Sequence, residues 1–129
     1  MEGDRAAAAA LAGEAVPVSG SQPGARREVR VPTLSEPISH YCDAVCYGDM
    51  VYVSGCPPLD GEGNLVGGDD PTAQARQVIE NLATILAACG SSIGQILKVT
   101  VFLTHIEDRQ AVDVARREAH EPGAGAGQR

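Results

Sequence analysis

Met50-Val51-Tyr52-Val53-Ser54-Gly55-Cys56-Pro57-Pro58-Leu59-Asp60 is a hydrophobic run that breaks at Ser54-Gly55 and leaves through a proline-fixed turn. Its β-branched and aromatic residues read as a strand. A strand that stops on glycine exposes backbone N–H groups with no side chain in the way, which suits close approach to a small polar ligand. Just upstream, Cys42 to Tyr47 is a second strand-like run, and Gly48-Asp49 between the two is a two-residue turn, so the pair reads as a β-hairpin. Further back, Arg30-Val31-Pro32-Thr33-Leu34 reads as a short edge strand, because proline removes a ladder donor and suits no central position.

Downstream, the stretch from Asp60 to Asp70 holds Gly61, Gly63, Asn64, Gly67 and Gly68, which is loop chemistry. A helix follows, with Asp70 as N-cap, Pro71 at the first helical position and Gly90 as its end. Its apolar residues, Ala75, Val78, Ile79, Leu82, Ile85, Leu86 and Cys89, recur at helical spacing. From Gln95 to Thr104 the pattern alternates, placing Leu97, Val99, Val101 and Leu103 on one face of a strand directed at the core. Asp108 to about His120 reads as a second, more polar helix. The order strand, hairpin, helix, strand, helix implies an α+β layer with both helices on one face of a sheet. A sheet that ends there has an open edge, so it reads as C-terminally incomplete, with the Leu97–Leu103 face less covered than in a finished fold.

The chain has 129 residues, enough for one domain, and an aromatic content of 3% without tryptophan, so packing rests on Val, Ile, Leu and Ala. Seventeen acidic residues against ten basic give a net charge of −7, which weighs against nucleic acid as a partner. No apolar run reaches the ~20 residues of a membrane helix, and the expectation is a soluble, cytoplasmic protein with no membrane partner.

Residues 1–26 hold the Ala6–Ala10 run and Gly20-Ser21-Gln22-Pro23-Gly24 and read as a disordered extension; residues 27–120 form the domain, and 121–129 an unstructured tail. Glu2, Asp4 and Glu14 weigh against a targeting segment. The four cysteines, Cys42, Cys46, Cys56 and Cys89, show no dense regular spacing and read as reduced thiols. Four apart in a strand, Cys42 and Cys46 would lie roughly 13 Å apart, beyond bridging distance.

Pro37-Ile38-Ser39-His40-Tyr41, Tyr52-Val53-Ser54-Gly55, Gln74 through Leu82 and Lys98 through Leu103, in that order and spacing, resemble the RidA (YjgF-like) family of reactive-imine deaminases over about residues 37–118. The resemblance implies a chorismate-mutase-like fold assembled as a homotrimer, with ligand sites between subunits and neither metal nor organic cofactor. It implies hydrolysis of 2-imino acids to 2-keto acids and ammonia. In that chemistry an arginine grips the substrate carboxylate while a positioned water attacks the imine carbon.

Carried over residue by residue, Tyr41 matches the family's cleft tyrosine, Ser54-Gly55 the strand end whose backbone faces the ligand, and Cys56 the variable position beyond. The substrate-binding set expected from the resemblance is therefore Tyr41, Ser54, Gly55 and Cys56, with no catalytic residue assigned. The family's carboxylate-binding arginine and late glutamate belong to two closing strands without a counterpart here. Arg117 comes too early, and Arg129, at the last position, lacks the flanking proline and strand.

Blander readings stand beside these. Tyr41 also suits a small core as a hairpin aromatic, and Gly55 a plain turn. His40, Cys42 and Cys46 lack a zinc-ligand spacing. Cys56 as a nucleophile lacks an adjacent base. Glu107-Asp108 suit a helix start and Arg116-Arg117 a solvated face. Functionally, the resemblance leaves three possibilities: an imine deaminase, a non-catalytic trimeric ligand-binding or regulatory protein, and an inactive truncated product.

Overall fold

The computed structural model describes residues 24–120. Strands β1 (Arg26–Val29), β2 (Ala44–Tyr47) and β3 (Met50–Val53) form an antiparallel sheet in the order β1-β2-β3. Helix α1 (Pro71–Ala88) and helix α2 (Arg109–His120) follow, with 3₁₀ turns at Ile93–Gln95 and Ile106–Asp108. The arrangement is the expected α+β fold.

The β2–β3 hairpin turns where the sequence indicates. Tyr47 pairs with Met50, and Gly48 takes φ +61° while Asp49 keeps an ordinary negative φ, the pattern of a type II′ turn. A Cβ at residue 48 would meet nothing within 4 Å, so conformation alone favours glycine there.

Alternation along the strands divides the sheet. Val29, Ala44 and Cys46 are buried with Ile85 and Ala88 of α1, and Val51 and Val53 pack against that cluster. Tyr47, Met50 and Tyr52 remain exposed on the opposite face. Helix α1 starts where Asp70 accepts hydrogen bonds from the backbone N–H groups of Thr72 (3.0 Å) and Ala73 (3.3 Å), and Gly90, at φ +78°, follows its C-cap Cys89. Helix α2 packs chiefly on α1. Thr72 Oγ1 donates to the Ala111 carbonyl at 2.9 Å, Arg76 and Glu118 meet through two 2.9 Å hydrogen bonds, and Ala115 is buried.

Two expectations are corrected. The edge strand is Arg26–Val29 rather than residues 30–34. The Asp43 carboxylate binds both the Arg30 guanidinium and the Val31 N–H (2.7 Å), and Leu34 N–H closes a turn onto the Val31 carbonyl (3.1 Å), so this stretch leaves the ladder. The alternating 95–104 segment is not a strand and does not bury its apolar face: Leu97 is 82%, Val99 46% and Val101 45% exposed. Period-two patterning makes a strand only where a neighbour supplies hydrogen bonds, and among the described residues no strand pairs with it. Its exposure matches the expected lack of cover.

The second helix begins at Arg109, directly after the turn that holds Glu107 and Asp108. Arg26, assigned by sequence to the disordered extension, opens β1. The rest of that extension up to residue 23 and the 121–129 tail lie outside the described residues.

Candidate functional site

The end of β3 and the proline turn after it meet the 34–43 segment over the middle of α1, and a cleft opens between them. Tyr41, Ser54, Gly55 and Cys56 all line it, with Glu36, Ile38 and Asp43 on one side and Asn81 and Ile85 on the α1 side. The residues singled out by sequence therefore converge in one place, from two separate segments.

Ser54 anchors this convergence. Its Oγ donates to the Cys42 carbonyl at 2.6 Å and its N–H to the Asp43 carbonyl at 3.0 Å, extending the hairpin contacts past the last paired strand residue. The hydroxyl proton is spent on the backbone, so Ser54 positions the cleft and offers a ligand only oxygen lone pairs. Gly55 is not among the positive-φ glycines, and a Cβ there would meet nothing within 4 Å. Backbone conformation does not demand glycine at this position; its effect is to leave backbone and cleft open. Tyr41 is exposed at the mouth, which argues against a core-filling role.

Cys56 is no nucleophile. Its Sγ lies 3.9 Å from the Val78 carbonyl, and burial, reinforced by the negative charge of Asp43, pushes the thiol up to about 11. It is protonated at neutral pH.

Sequence reading passed over three residues. Asp43, whose side chain is 11% exposed, holds Arg30 and the Val31 N–H, and Arg30 Nη2 also lies 3.3 Å from Glu36. Asn81 is buried, and its Nδ2 donates to the carbonyls of Leu59 (2.9 Å) and Pro57 (3.3 Å) while its Oδ1 accepts from Gln77 (2.9 Å). It ties the proline turn to α1. A signal for it existed: residue 81 falls on the apolar stripe between Val78 and Ile85, where a polar side chain needs a partner.

Other candidates stand apart. Cys42 donates its thiol to the Ala44 carbonyl at 3.3 Å, all four cysteines are free, and no three His, Cys, Asp or Glu side chains gather to hold a metal among the described residues. Arg116 and Arg117 are exposed on α2 and both pair with Asp113, at 3.3 and 2.9 Å. Arg129 lies outside the described residues. Among the described residues no Lys, Arg or His lines the cleft, whose ionisable side chains include the carboxylates of Glu36 and Asp43.

A family profile described as Endoribonuclease L-PSP matches residues 32–125. The chain belongs to the RidA (YjgF-like) family. The family's RutC family protein UK114 of Drosophila melanogaster is 35% identical over 88 residues, covering 68% of this chain and 64% of that protein. The 2-iminobutanoate/2-iminopropanoate deaminase of Salmonella typhimurium is 40% identical over 76 residues, 59% of each chain. The chain thus spans less than two thirds of the length of these relatives. Among solved structures, E. coli TdcF with bound serine superposes with a TM-score of 0.66 at 30% identity, covering 71% of this chain and 72% of that one. No helix among the described residues is long and apolar enough to cross a membrane.

Proposed function

We propose that this chain forms the ligand-binding part of a hydrolytic deaminase that converts reactive 2-imino acids to 2-keto acids and ammonia. The observation that carries it is the convergence of Tyr41, Ser54 and Gly55 in one cleft of a RidA-family fold, supported by 40% identity to the Salmonella typhimurium deaminase. The cleft suits water as the attacking group, because the Cys56 thiol is protonated and the Ser54 proton is committed to Cys42. Tyr41 and the backbone at Gly55 orient the imine, and the open cleft admits the attacking water. The ribonuclease activity in the family description is not adopted, since the chain carries a net charge of −7 and its lysines and arginines form no run to track a phosphate backbone. Assembly as a homotrimer goes with this function: the exposed Tyr47, Met50 and Tyr52 give the sheet an apolar outer face for a second copy. The four free thiols accord with a cytoplasmic protein.

The test is a dehydratase reaction that releases 2-iminobutanoate, followed with and without purified protein. Faster ammonia release supports the deaminase, and a rate equal to buffer contradicts it. Among the described residues no cationic side chain lines the cleft, which favours a second possibility, a trimeric RidA-family protein that binds keto or imino acids without turnover. Binding of 2-oxobutanoate with no rate acceleration would select it.

A further inference from the structure

The inner face of the sheet brings two thiols together from distant parts of the chain. Cys46 of β2 is buried in the core, and Cys89, the C-cap of α1, packs against that cluster with its thiol in hydrogen-bond contact with the Cys46 thiol. Cys42 and Cys56 turn their thiols instead to the backbone carbonyls of Ala44 and Val78. Arg27 of β1 stands opposite Cys46 in the ladder, and its positive charge reaches Cys89. Cys46 is 3% exposed and Cys89 half-buried, so a reagent in solution meets Cys89 first.

We propose that Cys46 and Cys89 are a redox pair, which a low-molecular-weight disulfide converts to an intramolecular disulfide fastening the end of α1 to β2. Cys89 Sγ, as the thiolate, attacks one sulfur of the small disulfide; a mixed disulfide forms and one small thiolate leaves. Cys46 then gives up its proton and attacks Cys89 Sγ, and the second small thiolate leaves as the Cys46–Cys89 bond closes. Two protein thiols are oxidised, the small disulfide is reduced to two thiols, and the two protein protons end on them. Burial, with Cys46 beside it, raises the Cys89 thiol to about 12 against the pull of Arg27, so the first step is slow at neutral pH and quickens as pH rises. Cys89 lies on the cap, beyond the last regular turn, where the backbone yields most easily as the sulfurs close to the ~2.05 Å of the bond. The closed pair removes freedom from the unfolded chain and so stabilises the fold. It also bears on the cleft, since the Cys89 N–H donates to the carbonyl of Ile85 at 3.1 Å and Ile85 lines that cleft.

The experiment incubates the full chain with glutathione disulfide at about pH 8.5, where thiolate begins to form, followed by intact mass, tryptic mapping and thermal melting. The parent is expected to lose about 2 Da, the two thiol hydrogens. Residues 31–76 and 77–98 should then appear as one linked peptide, with fragmentation placing the bond between Cys46 and Cys89. The melting midpoint should rise by at least about 5 °C and return to its starting value with reductant. Cys46→Ala is expected to stop at the mixed disulfide, a gain of about 305 Da on Cys89, and Cys89→Ala to form no bond to Cys46. A parent that gains no internal bond, a bond from Cys89 to Cys42 or Cys56, or an oxidised form that melts no higher than the reduced one overturns the proposal. The mapping of the parent decides the matter even if a cysteine variant fails to fold.

Discussion

Asn81 Nδ2 donates to the Leu59 carbonyl at 2.9 Å, and through this bond a buried helix side chain fixes the turn that forms one wall of the cleft. The same amide reaches Pro57, and Gln77 satisfies its oxygen. The Pro57 and Pro58 carbonyls accept from the Leu59 and Val66 N–H groups, both at 2.9 Å, and Asn81 supplies the donor for the Leu59 carbonyl.

Replacing Asn81 with alanine removes the donor to the Leu59 carbonyl and the acceptor of the Gln77 amide, while the Pro57 carbonyl keeps the Leu59 N–H. The expected cost is about 1–3 kcal/mol of unfolding free energy, read from urea denaturation. Ligand affinity falls with it, because the Gly55–Pro57 wall loosens. A loss below ~0.5 kcal/mol with unchanged affinity would show that the turn holds itself.

Ser54→Ala removes the 2.6 Å bond to the Cys42 carbonyl, which joins the two strands beyond their last ladder pair. A loss of about 1 kcal/mol is expected, with weakened 2-oxobutanoate binding. Ser54→Thr retains the donor and should recover most of the stability. A threonine variant as weak as the alanine one would contradict a hydrogen-bonding role.

The Cys56 thiol, pushed up to about 11, and the Cys89 thiol, pushed by burial and its neighbour Cys46 to about 12, make the fold sensitive to alkali. Both are raised above the unfolded value, so their contribution is whole below about pH 9 and is lost as pH rises through the folded values. Unfolding midpoints measured from pH 7 to 11 should fall above pH 9, and less steeply in Cys56→Ala. At pH 7.5 iodoacetamide should label Cys56 far more slowly than free cysteine; labelling at the free rate would overturn its assignment as an inert thiol.

At the acid end, hydrogen bonding to Arg76 lowers the Glu118 carboxyl, and the Asn64 and Glu62 backbone N–H groups lower that of Asp60. A lowered carboxyl contributes stability above its unfolded value and loses it as pH falls through the folded one. Glu118→Gln should therefore melt below the parent at pH 7 and converge with it near pH 3. A gap that persists at pH 3 would mean that the α1–α2 contact owes nothing to the charge on Glu118.

What the sequence revealed and what it hid divide along physical lines. The hairpin and α1 were legible because local chemistry specifies them: Gly48 for a turn needing positive φ, Asp70 and Pro71 for a helix start, Gly90 for its end. Tyr41, Ser54 and Gly55 were legible through the family resemblance, and they do share a cleft. Residues 97–103 misled because alternation reports a face and not the neighbour that completes a ladder. Arg30 and Asp43 were missed because they are thirteen residues apart, and their pairing exists only once β1 lies beside β2. That pairing also moved the edge strand, by drawing the Val31 N–H onto a side chain.

The most direct test of the central claim, that a small keto or imino acid occupies the cleft between Tyr41 and the Ser54-Gly55 strand end, is a titration of ¹⁵N-labelled protein with 2-oxobutanoate. Saturable shifts concentrated at the amides of Tyr41, Ser54, Gly55 and Cys56, and needing more ligand to saturate in Ser54→Ala, are the predicted result. Saturable shifts elsewhere on the chain, or none at millimolar ligand, would contradict it.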